Sequence, residues 1–206
     1  MRITHAVTDA RTKRTERCAD CWLPVRVCVC AELPRIAVAT KLVIVMHHVE
    51  ARRASNTGRL AARILGGTVR LRGEREPSPE APMPEGRRLL LFPDPTASTL
   101  SRAHAAEGPC VLVVPDGNWK QASRVLHRDP AAIGAEIVTL PPGPPSRYRL
   151  RRLPHPGALS TFEAIARALA VLEYEEIQSE LMRSLDLFVE RTLALRGGVS
   201  AIGEWE

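Results

Sequence analysis

The chain has 206 residues, of which 45% are hydrophobic and 25% charged, and its formal net charge is +6. This length fits one domain with an appendage or two small domains, with a core large enough to fold without a metal. The sequence shows neither a signal-peptide pattern nor an apolar run near the ~20 residues of a spanning helix. We therefore expect a cytoplasmic protein with reduced thiols and no membrane partner.

The positive charge of the chain comes almost entirely from arginine, because lysine occurs only at positions 13, 41 and 120. A guanidinium group binds phosphates in bidentate fashion and stacks on bases. A basic chain of this kind is compatible with a nucleic-acid partner but does not prove one. Genomic GC bias also favours arginine over lysine and is the alternative explanation.

The N-terminal region divides into two parts. Residues 1–16 lack apolar periodicity, which predicts a flexible tail. Residues 17–34 contain a cluster of four thiols: Cys18, Cys21, Cys28 and Cys30. Four thiolates can fill a tetrahedral zinc shell, and clustered cysteines in a reducing compartment bind metal more often than they form disulfides. We predict a structural zinc knuckle; loosely ordered thiols and an iron–sulfur cluster are the alternatives.

Short aliphatic runs alternate with helical patterns in the rest of the chain. The runs predict strands at 42–46, 68–71, 89–92, 110–114 and 136–140. Helices are predicted at 56–65, 98–107 and 119–126, followed by a long helical region from about 161 to 195. Prolines predict a surface loop over 73–87. The alternation predicts an α/β fold with a mostly parallel sheet and helices on both faces.

In such a sheet, ligands bind outside the carboxyl ends of the strands. Three loops rich in proline or glycine follow predicted strands: 93–95, 115–119 and 141–145. The two commonest nucleotide-binding fingerprints, G-x-x-x-x-G-K-[ST] and G-x-G-x-x-G, do not occur. We expect a ligand cleft at these three loops.

The loop after the fourth predicted strand holds the main candidate for chemistry. A carboxylate at Asp116 can act as a general base or a polar anchor, although an Asp-Gly turn is the commoner role. Asn118 is a good N-cap for the helix that begins at Trp119, with Gln121 completing a capping pair. Trp119 is either a core residue or a stacking platform, and its spacing favours the core.

Polar residues also follow the first predicted strand. A His-x-x-Glu pair, His47 and Glu50, can bind metal, but no third ligand is evident. Positioning of a substrate or an ordinary surface role is the better interpretation. Asn56 can cap the next helix, whose N–H groups together with Arg59 can also take a phosphate. The segment 146–154 is rich in arginine, which fits either phosphate contacts or a solvated basic strand.

Five segments follow the cysteine knuckle in a specific order: His47-x-x-Glu50, Ser55-Asn-Thr-Gly-Arg-Leu60, Asp116-Gly-Asn-Trp119, Tyr148-x-Leu-Arg151 and Leu159-Ser-Thr-Phe-Glu-Ala164. Over about residues 17–175, this set resembles the DTW-domain family of tRNA-uridine aminocarboxypropyltransferases. The family pattern is Asp-x-Thr-Trp, whereas this chain has Asn118 in place of the threonine. Both residue types are good helix N-caps, so we expect the turn to be kept.

The resemblance implies a SPOUT-like catalytic domain over residues 35–206 with a knotted C-terminal part. It implies that S-adenosylmethionine donates its 3-amino-3-carboxypropyl group to N3 of a tRNA uridine, releasing 5′-methylthioadenosine. Asp116 is then the candidate catalytic base. The donor is expected to contact Phe92, Pro93, Pro115, Asp116, Gly117, Trp119, Leu140, Ser160 and Thr161. The tRNA is expected to contact His47, Glu50, Arg52, Asn56, Arg59, Arg147, Arg149 and Arg151.

Two other functions remain open from the sequence. One is a SPOUT-type RNA methyltransferase that uses the same donor, because a rotated donor pose alone decides which group is transferred. The other is a non-catalytic, zinc-dependent RNA-binding module, which would bind tRNA without binding S-adenosylmethionine.

Overall fold

The computed structural model describes residues 16–73 and 82–197. Almost all of the predicted tail and most of the predicted proline-rich loop lie outside the described residues. Within the described ranges, none of the helices has the length and apolar character needed to cross a membrane.

The strands of the described residues form one parallel sheet in the order β2-β1-β5-β3-β6-β4. They are β1 (Lys41–His47), β2 (Thr68–Arg72), β3 (Arg87–Leu91), β4 (Ser98–Thr99), β5 (Cys110–Asp116) and β6 (Glu136–Thr139). The aliphatic runs of β1, β3 and β5 are buried because helices cover a parallel sheet on both sides. In the register of the two longest strands, Met46 of β1 lies opposite Asp116 of β5.

Helices cover the two faces of the sheet unequally. They are α1 (His48–Ala51), α2 (Gly58–Leu65), α3 (Ala103–Ala106), α4 (Trp119–Arg128), α5 (Thr161–Leu172) and α6 (Glu176–Leu195). The larger core, with Phe162 of α5 and Phe188 of α6, lies on the face of α2, α5 and α6. Val125 of α4 packs into the smaller core on the other face. The predicted α/β architecture is therefore confirmed, whereas the C-terminal knot stays a prediction.

Two helix predictions were wrong in extent, and in both cases a non-local contact is the reason. The predicted helix 98–107 is divided into β4 and the short α3, because Ser98 and Thr99 pair with β6. The predicted helical region 161–195 is interrupted between Leu172 and Glu176. There the Glu173 carboxylate accepts hydrogen bonds from the backbone N–H groups before β1, including that of Thr40 at 2.6 Å.

The cysteine-rich segment is packed onto the α2 side of the sheet. It contains a short 3-10 helix, Val25–Val27. Leu23, Val29 and Leu33 of this segment are buried in the same large core as α2, α5 and α6. The knuckle and the α/β domain therefore share hydrophobic packing.

Candidate active site and cysteine cluster

The carboxyl ends of four neighbouring strands meet at one edge of the sheet. In order along this edge, β1 ends at His47, β5 at Asp116, β3 at Leu91 and β6 at Thr139. Because these strands are parallel, the loops that follow them all open on the same side. The three predicted ligand loops follow three of these strands, so the structure brings them to one edge.

Asp116 lies at the centre of this edge and is buried, with only 6% of its surface exposed. The Asn56 amide donates a hydrogen bond from Nδ2 to its Oδ2 at 2.7 Å. The Thr161 hydroxyl donates to its Oδ1, also at 2.7 Å. Burial raises the pKa of the Asp116 carboxyl, while the two donors oppose that rise. A carboxylate held in this way is a stronger base than an exposed aspartate.

Gly58, the first residue of α2, permits the close approach of this helix to Asp116. A Cβ atom at position 58 would lie 2.5 Å from the Asp116 Oδ2 atom and 3.2 Å from the Met46 methyl carbon. Real Cβ atoms essentially never stand so close to another atom, so a side chain at position 58 would force the helix or the carboxylate to move. The glycine is therefore a steric requirement of the buried carboxylate.

Asn56 links the carboxylate to the start of α2. Its Oδ1 accepts a hydrogen bond from the Arg59 backbone N–H at 3.1 Å, while its Nδ2 is bound to Asp116. The predicted capping role of Asn56 is thus present, although Thr57 occupies the N-cap position itself. The same side chain both closes the helix end and orients the carboxylate.

A second polar network holds the loop that carries Asn56. The buried Glu50 carboxylate accepts from Arg151 Nη1 at 2.7 Å and pairs with Arg53 at 3.0 Å. Arg151 also donates from Nε to the Ser55 hydroxyl at 2.7 Å, and the Tyr148 hydroxyl donates to the Ser55 carbonyl. The interpretation of Glu50 as an ordinary surface residue was wrong.

Trp119 is exposed rather than buried in the core. Its exposed fraction is 56%, and its ring centroid lies 5.0 Å from that of Phe92. The core interpretation of Trp119 was therefore wrong, since α4 turns Val125 toward the sheet instead. The two aromatic rings form a surface at the ends of β3 and β5.

The other residues expected to contact the donor surround this edge. Pro93 is exposed beyond β3, Pro115 is part of β5, Gly117 follows that strand, and Leu140 follows β6. The Ser160 hydroxyl accepts a hydrogen bond from the Glu163 backbone N–H and caps α5 in a complete capping box. The structure brings these residues together, and their contact with a donor stays a prediction.

The arginines expected to contact tRNA mostly have partners within the protein. Arg147 pairs with Asp186 at 2.9 Å, and Arg149 pairs with Glu190, both on α6. Arg151 pairs with Glu50, as described above. Of the residues expected near tRNA beside β1, Arg52 is exposed and His47 half-buried. RNA contact by all of these residues stays a prediction.

The predicted cysteine cluster is compact. The four Sγ atoms of Cys18, Cys21, Cys28 and Cys30 lie within 4.8 Å of one another. Two of the sulfur–sulfur distances are 3.7 Å (Cys18 to Cys30) and 3.6 Å (Cys21 to Cys28). A tetrahedral shell with Zn–S bonds of about 2.3 Å requires sulfurs about 3.8 Å apart. The donor set and its spacing therefore fit a four-thiolate metal site.

Arg59 and Trp22 attach the knuckle to the α/β domain. The Arg59 guanidinium carbon lies 5.2 Å from the centroid of the Trp22 ring. Arg59 donates from Nη1 to the Ala19 carbonyl of the knuckle and from Nε to the Ala51 carbonyl of α1, both at 3.0 Å. The Trp22 indole N–H donates to the Arg52 carbonyl at 3.0 Å. Arg59, expected at tRNA, is thus engaged inside the protein.

The model of the DTW domain matches residues 15–193. The chain belongs to the DTW-domain family. This DTW-domain protein carries Asn118 where the family pattern has threonine, and the Asn118 side chain caps α4 with Gln121 in a complete capping box. The helix N-terminus is therefore formed despite the exchange.

Several curated relatives are similar over most of this DTW-domain chain. A tRNA-uridine aminocarboxypropyltransferase 2 of Drosophila melanogaster is 33% identical over 183 residues, which cover 84% of this chain and 73% of the relative. The protein of that name from Mus musculus is 30% identical, with 84% of this chain and 62% of the relative covered. The tRNA-uridine aminocarboxypropyltransferase A of Arabidopsis thaliana is 29% identical, with 86% and 80% covered.

One solved structure is also similar to the DTW-domain chain. It is the SAM-dependent rRNA:acp-transferase Tsr3 from Vulcanisaeta distributa, with 22% sequence identity and a TM-score of 0.43. The match covers 76% of this chain and 79% of that one.

Sequence reasoning did not single out Gly58 or Trp22, and only Gly58 carries a signal in the sequence. Glycine is a poor helix former, so its place at the start of α2 indicates a close backbone approach. Trp22 follows the Cys18-x-x-Cys21 pair and has φ of +61°, a conformation that favours glycine. The contacts of the Trp22 side chain with Arg59 and with the Arg52 carbonyl offset this backbone strain.

Proposed function

We propose that this protein transfers the 3-amino-3-carboxypropyl group of S-adenosylmethionine to N3 of a uridine in tRNA. Membership of the DTW-domain family and the names of its relatives support this reaction. The structural observation that supports it most is the convergence of three family segments on one carboxylate. Asn56 and Thr161 both donate to Asp116, although the three lie far apart in the sequence.

The proposed reaction is a displacement at the γ-carbon of the donor. The N3–Cγ bond forms while the Cγ–S⁺ bond breaks, and the sulfur keeps the electron pair as the neutral thioether of 5′-methylthioadenosine. The N3 proton must leave, and Asp116 accepts it as general base. Its raised pKa favours proton uptake, and each carboxylate oxygen retains a second lone pair beside its existing hydrogen bond.

The donor is proposed to bind along the edge formed by the ends of β5, β3 and β6. The exposed ring of Trp119 beside Phe92 offers an apolar surface for the adenine. Backbone groups of the loops after these strands offer partners for the ribose. The main role of this binding site is to orient the γ-carbon of the donor toward N3 of the uridine.

The four-cysteine cluster is proposed to hold a structural Zn²⁺. Its sulfur spacing is that of a closed tetrahedral shell, which leaves no position for a substrate. The ion would stabilise the knuckle and the surfaces of Ala19 and Trp22 that contact α2. All proposed chemistry lies with the residues around Asp116.

The proposed function is tested by incubating the protein with unmodified tRNA and S-adenosylmethionine, followed by nucleoside mass spectrometry. The expected product is uridine carrying the 3-amino-3-carboxypropyl group, together with 5′-methylthioadenosine. A methylated nucleoside with S-adenosylhomocysteine would instead identify a methyltransferase. Binding of tRNA without any donor binding by calorimetry would identify a non-catalytic RNA-binding module.

A further inference from the structure

Helix α4 carries positive charge on one exposed face. Its sequence contains no aspartate or glutamate, and its four basic residues are Lys120, Arg124, His127 and Arg128. All four are exposed. With 3.6 residues per turn, they fall within an arc of about 100° around the helix, and Lys120 and Arg128 stand ~12 Å apart along its axis. We call these four residues the α4 basic face.

The ion pairs of the described residues do not include the lysine and the arginines of the α4 basic face. In the portion of the chain that the structure describes, no carboxylate forms an ion pair with Lys120, Arg124 or Arg128. The acid next in sequence, Asp129, is buried and pairs with Arg72. The three charges are therefore available to a partner in solvent.

Arginines on α6 and beside it, in contrast, form ion pairs with carboxylates. Arg147 and Arg149 pair with Asp186 and Glu190 on that helix. Arg191 pairs with the Glu32 carboxylate at 2.9 Å. An arginine beside a carboxylate attracts a phosphate less strongly, because the net charge of the pair is zero. The tRNA contacts that the sequence predicts for Arg147 and Arg149 would compete with these pairs.

The α4 basic face begins beside the candidate active site. The helix starts at Trp119, three positions after Asp116. A strand of RNA lying along α4 would therefore lead from the exposed helix surface to the edge where Asp116 lies. Its phosphates would meet the positive charge of the exposed helix surface.

We propose that the α4 basic face binds the backbone phosphates of the tRNA substrate. This inference rests on the proposed function and assigns its tRNA-docking surface. Phosphate neutralisation supplies much of the affinity of proteins for nucleic acids and makes it depend on salt. The α4 basic face, rather than the segment Arg147–Arg151, is the main source of that dependence.

The test measures the affinity for unmodified tRNA between about 50 and about 300 mM KCl, a roughly sixfold range of salt concentration. The K120Q/R124Q/R128Q variant is expected to reduce the slope of log K against log salt by about 2 to 3, since each phosphate contact contributes about 0.7 to 0.9. The R147Q/R149Q/R191Q variant removes the same amount of charge and is expected to change the slope by less than about 1. A K120R/R124K/R128K variant keeps the charges and is expected to retain the wild-type slope.

Donor affinity and the midpoint of thermal unfolding serve as controls and should match the wild type in the K120Q/R124Q/R128Q variant. An unchanged slope in the K120Q/R124Q/R128Q variant would overturn the proposal. A larger reduction of the slope in the R147Q/R149Q/R191Q variant would overturn it as well. If either of these results is found while the wild type still modifies tRNA, only the docking surface is wrong. If the wild type neither modifies nor binds tRNA, the proposed function fails as well. Charge-dependent binding of α4 to anionic vesicles instead of tRNA would also overturn it.

Discussion

The Arg59 guanidinium lies over the indole of Trp22, 5.2 Å from the ring centroid, and joins helix α2 to the cysteine knuckle. Burial lowers the pKa of Arg59, because the charged guanidinium is partly removed from water. The Ala19 and Ala51 carbonyls accept its N–H groups, and the ring faces its cation. The backbone of the same residue donates to Asn56, which holds Asp116. Arg59 thus joins the knuckle through its side chain to the candidate site through its backbone.

Removal of the Arg59 guanidinium should lower the free energy of unfolding. The R59Q variant loses a desolvated cation–π contact and two charged hydrogen bonds, for an expected loss of about 2–4 kcal/mol in urea denaturation. R63Q is a matched control on the same helix. Arg63 forms a weaker ion pair, because its partner Asp20 is half-exposed and lies 3.4 Å away. The expected loss for R63Q is below about 1 kcal/mol. Equal losses in the two variants would contradict the role given to Arg59.

The conformation of Trp22 predicts an unusual order of stability between two truncated variants. Both W22A and W22G lose the indole and its hydrogen bond to the Arg52 carbonyl. Glycine adopts a φ of +61° without strain, whereas alanine does not. We expect W22G to be more stable than W22A by about 1 kcal/mol, measured by chemical denaturation. The usual order, with alanine more stable, would show that the strain is absent.

The zinc content of the protein should depend on the four clustered cysteines and not on Cys110. Purified protein is expected to contain close to one zinc per chain by elemental analysis, and the C21S variant to contain almost none. Cys110 is equally buried but stands apart on β5, so C110A is the control and should keep its zinc. Zinc retained in C21S, or lost in C110A, would contradict the assignment of the four ligands.

A methyl group at position 58 should disturb the candidate site from the side of α2. In G58A the new Cβ would meet Asp116 Oδ2, so either the helix or the carboxylate must move. We expect the transfer rate to fall about a hundredfold, the scale of a 1 Å misplacement of a catalytic group. The G58A/D116A double variant should recover the thermal stability lost in G58A but not the activity. Unchanged activity in G58A would show that Asp116 is not held as described.

The pKa of Asp116 predicts how stability depends on pH. Because the folded pKa lies above the unfolded value, the carboxyl stabilises the fold most below the unfolded pKa of about 4. That contribution is lost as the pH rises through the folded pKa, by up to about 1.4 kcal/mol per pH unit. Asparagine does not titrate, so the unfolding free energy of wild type minus that of D116N should decrease as the pH rises from about 4. A difference that stays flat or increases would contradict the raised pKa.

The sequence predicted the sheet more accurately than the helices. Each predicted strand is present, because a buried parallel strand needs a continuous aliphatic run, and Leu42–Met46 is such a run. The breaks within the predicted helices follow from contacts with remote segments. Ser98 and Thr99 pair with β6, and Glu173 receives the N–H of Thr40. Local periodicity contains no information about such partners.

The candidate site was predictable in position but not in detail. Parallel strands bring their carboxyl ends to one edge, so the place of Asp116 at that edge follows from its position at the end of a predicted strand. The hydrogen bonds that Asp116 accepts and the exposure of Trp119 depend on how α2, α4 and α5 pack on the sheet. The pairing of Arg147 with Asp186 likewise joins segments that no sequence pattern connects. Side-chain partners of this kind require the folded chain.

The hydrogen bonds from Asn56 and Thr161 to Asp116 also determine when the site can form during synthesis of the chain. Asn56 is separated from Asp116 by 60 residues and Thr161 by 45, on opposite sides in the chain. The hydrogen bond from the Phe162 N–H to the Thr57 hydroxyl closes a loop of 105 residues. Contacts of such long range form late in folding. A nascent chain therefore acquires its complete carboxylate environment only after α5 has left the ribosome, so partly made protein lacks a finished site.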